Sequence, residues 1–266
     1  MTAKILAVTN QKGGVGKTTS SCNVAKELCS RNKRVLLVDN DPQGNQTKLI
    51  FGDDIPEEIF YIDDQGKSRS GPANSYTLYE EGREVEPYRV SDYLSIFGTN
   101  KKLAGMNSED VIEVGIPFKE KLTDIAQQFD YIIIDCLPGW GTLLNSALLT
   151  SDYVLIPTEL DGFAVDGIAQ LYKTVGSVKK HLNPGLQVLG IFANKVDGRR
   201  VQVQRHYKQD IRERFGDAML EHEITASVKV AEANALNQSV AEYMPTLTQT
   251  HQYQRLATEI LERMEG

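Results

Sequence analysis

Cysteine is scarce in this sequence. Three residues among 266, Cys22, Cys29 and Cys136, show neither an even count nor a C-x-x-C spacing, which argues against a disulfide framework or a zinc site. Long apolar runs are missing as well. The first, residues 5–8, is far too short for a signal peptide, and no other stretch reaches membrane-spanning length, so a reducing cytoplasm is the expected compartment. There is no excess of positive charge either. With 29 Lys and Arg against 36 Asp and Glu, the net charge is −7, and the whole chain repels nucleic acid and anionic membrane at long range. A polyanionic partner must therefore meet a local basic patch. Internal repeats and coiled-coil heptads are also lacking.

What is present is an ordinary globular composition, 41% hydrophobic and 24% charged, in a length that suits one large α/β core. Short apolar runs bounded by polar or turn residues predict buried parallel strands at residues 5–8, 34–38, 131–134, 153–156 and 188–193. Helical patterns lie between and after them at 17–30, 119–128, 167–181, 203–215 and 253–264. This alternation predicts an α/β fold with a doubly wound, mostly parallel sheet and helices on both faces. Ligands of such sheets bind at the carboxyl ends of strands, where three predicted strands run into Thr9 and Asn10, Asp39, and Asp135. One domain over residues 1–266 is expected. Residues 52–115, rich in charge, Gly and Ser, read as an irregular excursion from it.

The segment KGGVGKTT, residues 12–19, stands between the first strand and the first helix. A glycine-rich turn in that context sets backbone N–H groups and a helix N-terminus against phosphate oxygens. Gly13, Gly14 and Gly16 permit close backbone approach, with Val15 and Thr19 completing the loop. Lys17 is placed to reach the outer phosphates and the Thr18 hydroxyl to ligate magnesium. The usual phosphate-loop pattern has a glycine where this chain has Gln11, and here Lys12 leads the glycines.

That leading lysine resembles the deviant Walker A motif of the ParA and MinD superfamily. VDNDPQGNQT at 38–47 and DYIIIDCLPG at 130–139 are similar to the family's second and third motifs. VLIPTELDGFAVDGI at 154–168 and VAEANALNQSVAEYMP at 230–245 resemble its later blocks. The resemblance implies a P-loop NTPase fold, ATP and Mg2+ as cofactors, and a homodimer formed on ATP binding. Asp41 would orient or activate the attacking water, and Asp41, Asp135 or Asp39 would contact the magnesium shell. In the family the leading lysine reaches the partner's phosphates, a role that falls on Lys12 here. Cleaving a γ-phosphate needs positioning and charge neutralisation above all, which makes Lys12, Lys17 and Asp41 the candidate catalytic residues.

NKVD at 194–197 also occurs in guanine-specific GTPases, with Asn194 set to meet a purine edge and Asp197 to select guanine. The other motifs resemble ATP-using relatives, so ATP is the expected nucleotide and GTP the alternative. Between residues 195 and 214 seven Lys and Arg face three acidic residues, a local net of +4. Arg199, Arg200, Arg205, Lys208 and Arg212 are candidate contacts to DNA phosphates, with Arg214 beside them. Lys229 joins them because relatives carry a DNA-binding basic residue in that block. Phosphate contacts of this kind are insensitive to sequence and sensitive to salt. A solvated helix face with ordinary ion pairs is the competing reading.

The expected function is a ParA-type partition ATPase, cytoplasmic and nucleoid-associated. It would dimerise on ATP, bind nonspecific DNA, and hydrolyse ATP when stimulated by a centromere-binding, ParB-type partner. A MinD-like membrane-associated positioning ATPase is the alternative and requires a basic amphipathic tail. Residues 251–266 instead mix Arg255 and Arg263 with Glu259, Glu262 and Glu265, and are expected to pack through Leu256, Ile260 and Leu261. No membrane partner is expected. An iron–sulfur carrier like the nitrogenase iron protein lacks suitably spaced cysteines.

Overall fold

Alternating strands and helices build one seven-stranded sheet in the computed structural model, which describes residues 2–199 and 201–266. The chain runs β1 (Lys4–Val8), α1 (Lys17–Ser30), β2 (Val35–Asn40), α2 (Asn45–Phe51), β3 (Phe60–Ile62), β4 (Ser68–Ser70), α3 (Ser75–Leu78), β5 (Tyr88–Arg89) and β6 (Leu94–Phe97). It continues through α4 (Val111–Ile125), β7 (Tyr131–Cys136), α5 (Thr142–Thr150), β8 (Tyr153–Thr158), α6 (Ala164–His181) and β9 (Gln187–Ala193). The last helices are α7 (Val201–Phe215), α8 (Val228–Ala235), α9 (Val240–Tyr243) and α10 (Thr248–Glu265).

Strand order is β5-β6-β2-β7-β1-β8-β9, parallel throughout except for β5, which pairs antiparallel with β6. Strands covered on both faces become largely apolar, as β7 does over residues 131–134, and all six of its residues are buried. Two apolar clusters fill the two faces. One gathers Phe118, Leu144, Ile168 and Leu171 from α4, α5 and α6; the other gathers Val24, Leu28, Leu256 and Ile260 from α1 and α10. In α10, Tyr253, Leu256, Ala257, Ile260 and Met264 recur at helical spacing and are all buried, and Leu261 packs at the margin of the same cluster. The apolar face that a membrane anchor would need is thus spent on the core. Among the described residues no helix is long and apolar enough to cross a membrane.

Three predicted strands end too early. β2, β7 and β8 each run two residues further, because parallel pairing continues through Asp39↔Asp135 and Asn40↔Cys136 between β2 and β7, and through Pro157↔Phe192 and Thr158↔Ala193 between β8 and β9. Buried polar groups are tolerated there because they are bonded: Asn40 donates to the Leu143 carbonyl at 2.9 Å and accepts from Tyr79 Oη at 2.8 Å. The irregular excursion expected at 52–115 also requires correction. It contains the β3–β4 hairpin, α3, and the strands β5 and β6 that extend the main sheet, with β6 parallel to β2. Helix α4 starts within it, capped by Asp110, whose carboxylate accepts from the Ile112 N–H at 2.7 Å. Helix α5 carries no predicted counterpart. Eight of its nine residues are buried, so no polar stripe betrays its period.

Candidate functional site

β1 ends in buried Thr9 and Asn10, and the chain then turns into the glycine loop. The Asn10 side chain donates to the Pro157 carbonyl at 2.8 Å and accepts from the Lys12 N–H at 3.0 Å, fixing where the loop departs. Gly14 and Gly16 hold φ of 78° and 90°, which an L side chain rarely adopts. A Cβ on Gly13 or Gly14 would meet no atom within 4 Å, so open space lies before the backbone there. Gly16 precedes α1 without any side-chain cap, leaving the first helical N–H groups for a ligand. Lys17 is buried, and its Nζ is 3.3 Å from the Lys12 carbonyl. Burial lowers its ammonium pKa, against the pull of Asp135 and Asp41.

Two carboxylates meet at the carboxyl edge of β2 and β7, and Asp41 follows one residue past the end of β2. Asp39 and Asp135 are cross-strand neighbours, both buried. Burial pushes Asp39 up to about 7 and Asp135 up to about 8, the latter raised further by repulsion from Asp39. Asp135 accepts from Ser21 Oγ at 3.3 Å and is also hydrogen-bonded by Thr18. Asp39 is otherwise engaged: Oδ2 accepts from the Thr47 N–H at 2.8 Å and Oγ1 at 2.6 Å, and Oδ1 accepts from the Asp41 N–H at 3.3 Å. It shapes the turn that presents Asp41. Asp41 lies past the end of β2; it accepts from the Gln43 N–H at 3.0 Å and lines the cleft. A half-used buried ammonium, crowded carboxylates and uncapped helix amides together fit a polyphosphate carrying a divalent cation.

Asn194, expected to meet a purine edge, lines the cleft and holds the glycine loop. Its amide donates to the Val15 carbonyl at 2.7 Å, and its Oδ1 accepts from the Lys195 N–H at 3.0 Å. A Cβ on Gly16 would come within 2.2 Å of that amide nitrogen, so glycine is required where the two segments cross. Lys195, in the left-handed region at φ 54°, donates from Nζ to the Gly14 carbonyl. Two adjacent loop carbonyls are thus held by two adjacent residues that themselves line the cleft. Lys195, Glu159, Asp161 and Thr47 were not singled out from sequence; only the PTELD and DPQGNQT strings hinted at the last three. Lys12 turns to the β8–α6 connection, 2.5 Å from Asp161 Oδ2 and 3.2 Å from Glu159 Oε2.

The cleft measures about 1010 Å³. It runs from Gly14, Lys17 and Asp41 to an apolar end lined by Ile224, Val230 and Tyr253. At that end Asn234 donates to Thr19 Oγ1 at 2.9 Å.

The candidate DNA contacts are not a bare basic patch. Lys208 pairs with Glu223 at 2.6 Å, Arg212 with Glu221 at 2.8 Å, Arg214 with Asp166 at 3.6 Å, Arg199 with Asp197 at 3.0 Å and Lys229 with Glu232 at 2.7 Å. Arg205 is exposed and has no ion pair among the described residues; Arg200 lies outside them. The three cysteines are free, Cys22 and Cys136 buried, and the described residues contain no cluster of three or more metal-ligating side chains.

A family model described as an AAA domain matches residues 3–188. The sporulation initiation inhibitor protein Soj of Bacillus subtilis is 33% identical over 263 residues, covering 97% of this chain and 98% of that protein. The chromosome-partitioning ATPase Soj of Thermus thermophilus is 32% identical, with 98% and 96% covered. Cobyrinic acid a,c-diamide synthase of Mycobacterium smegmatis, solved with ADP and magnesium, superposes with a TM-score of 0.78 at 25% identity, covering 99% of this chain and 96% of that one.

Proposed function

The chain belongs to the ParA and Soj family of partitioning ATPases, and from that premise we propose that it is a DNA-segregating switch whose two states differ by ATP-dependent dimerisation. It hydrolyses ATP, with Mg2+ as the accompanying ion. The observation that carries the proposal is the convergence of the uncapped α1 N-terminus, buried Lys17 and the Asp41 and Asp135 carboxylates at one sheet edge.

In this reading the loop amides from Gly13 to Thr19 cradle the phosphates and Lys17 neutralises their charge. Thr18, Asp41 and Asp135 would hold magnesium beside the phosphates. Magnesium, when bound, neutralises charge that develops on the phosphate oxygens. Asp41 orients the attacking water, and Asp39 with Thr47 keeps Asp41 in place. Asn194 serves indirectly, by holding the loop. Lys12 reaches the phosphates of a second copy, so each nucleotide adds contacts that exist only in the dimer.

Positive residues of α7 then meet the phosphates of nonspecific DNA, at the expense of their pairs with Glu221 and Glu223. A centromere-bound partner of the ParB type stimulates turnover and release, in the cytoplasm on the nucleoid. Retention on nonspecific DNA with ADP, ATP and a nonhydrolysable analogue tests the reading. Retention is expected with ATP and the analogue alone; equal retention with ADP, or none at all, refutes it.

A further inference from the structure

Lys12 is held by two carboxylates of a single turn. Glu159 and Asp161 lie between β8 and α6, and the turn is built to keep them there. Asp161 Oδ1 accepts from the Phe163 N–H at 3.0 Å, its carbonyl accepts from the Ala164 N–H at 3.1 Å, and its own N–H donates to the Glu159 carbonyl at 3.1 Å. Glu159 divides its oxygens, Oε2 to Lys12 at 3.2 Å and Oε1 to Lys195 at 3.1 Å. The hydrogen bond to Asp161 raises the Lys12 ammonium pKa despite partial desolvation. Side-chain exposures of 44% for Lys12, 30% for Glu159 and 34% for Asp161 leave the pairs partly screened, so the grip is firm in geometry and modest in strength.

We propose that Glu159 and Asp161 are positioning residues that hold Lys12 in cis and thereby set the protein concentration at which the nucleotide-bound dimer forms. This rests on the dimer reading given above. Lys12 reaches a second copy's phosphates only by leaving both carboxylates, and a symmetric dimer breaks the grip twice. The factor contributed by each protomer therefore enters the dimer dissociation constant squared. A partly exposed grip worth about three-fold per protomer shifts that constant by about ten-fold.

Sedimentation velocity with magnesium and a nonhydrolysable ATP analogue, over a range of protein concentrations, tests this on the full chain. Glu159→Gln with Asp161→Asn is expected to move the monomer–dimer midpoint about ten-fold lower. An unchanged or higher midpoint overturns the proposal, since the carboxylates then serve the dimer or have no part in it. Asp161→Asn alone keeps an acceptor for the Phe163 N–H and repeats the test should the double variant misfold. A second measurement needs no dimer: the acylation rate of Lys12 in the nucleotide-free monomer, mapped by mass spectrometry. Loss of the carboxylates should speed it several-fold, and equal rates overturn the grip itself. A wild type that stays monomeric with the analogue refutes the dimer reading and the opposing role together, while the acylation rates still report whether the grip exists.

Discussion

The Asn194 side chain donates to the Val15 carbonyl 2.7 Å away, across 179 residues of sequence, and so ties the end of β9 to the middle of the glycine loop. Removing one partner of a buried hydrogen bond costs about 1–3 kcal/mol, because the other is left unsatisfied. Asn194→Ala should therefore weaken both ADP and ATP binding roughly ten-fold, as the loop that both share loses its support. Titration calorimetry checks this. A selective loss of adenine over guanine nucleotides would return Asn194 to the base.

Lys17 is buried next to acidic neighbours, with its Nζ 3.3 Å from the Lys12 carbonyl. Lys17→Ala removes the buried positive charge from a site crowded with carboxylates. Nucleotide affinity should fall more than about 100-fold, the scale expected for losing a charge-assisted contact in a desolvated site. Retained tight binding in calorimetry would refute the phosphate-loop assignment.

Asp41→Ala tests the division of labour between Asp39 and Asp41. Asp39 spends its oxygens on Thr47 and the Asp41 N–H, whereas Asp41 lines the cleft. The variant should still dimerise on ATP while turnover drops by about 10²–10⁴-fold, the range for a lost general base or water-orienting group. Wild-type phosphate release in a single-turnover assay would remove Asp41 from the mechanism.

Proton uptake offers a test without mutation. Asp39 at about 7 and Asp135 at about 8 lie above their ordinary 3.8, so the folded protein holds protons that the unfolded chain gives up. Their contribution to stability is full below pH about 4 and is lost as pH rises through 7 to 8. Without ligand, the melting temperature should decline across that window. A divalent cation with nucleotide favours the ionised carboxylates, so binding at pH 7 should release protons. Calorimetry in buffers of different ionisation enthalpy measures the release, and a binding enthalpy independent of buffer rules it out.

The sheet's core strands were legible because β1, β2, β7, β8 and β9 are buried on both faces and read as apolar runs. β6 was not, since four residues inside a polar segment carry no usable period, and α5 was hidden by its uniform burial. Local motifs named Lys17, Thr18, Asp41 and Asp135 directly. The partners of Asn194 and Lys12 could not be read in this way. Val15 and Asp161 are set against them by strand order, with β1, β8 and β9 adjacent in the sheet, and no local pattern encodes that order.

The basic face of α7 is the part of the proposed function most exposed to refutation. Lys208 and Arg212 already face Glu223 and Glu221, so DNA must compete for them, whereas Arg205 is exposed. Each phosphate neutralised contributes about 0.9 to the slope of log affinity against log salt, and a residue that only trades one carboxylate for a phosphate contributes less. Replacing Arg205, Lys208 and Arg212 together by Ala should weaken binding about equally for all sequences and reduce the slope by about one to three. Anisotropy titrations of labelled duplexes with the ATP analogue at several salt concentrations measure both quantities. An unchanged slope would place the DNA surface elsewhere on the chain.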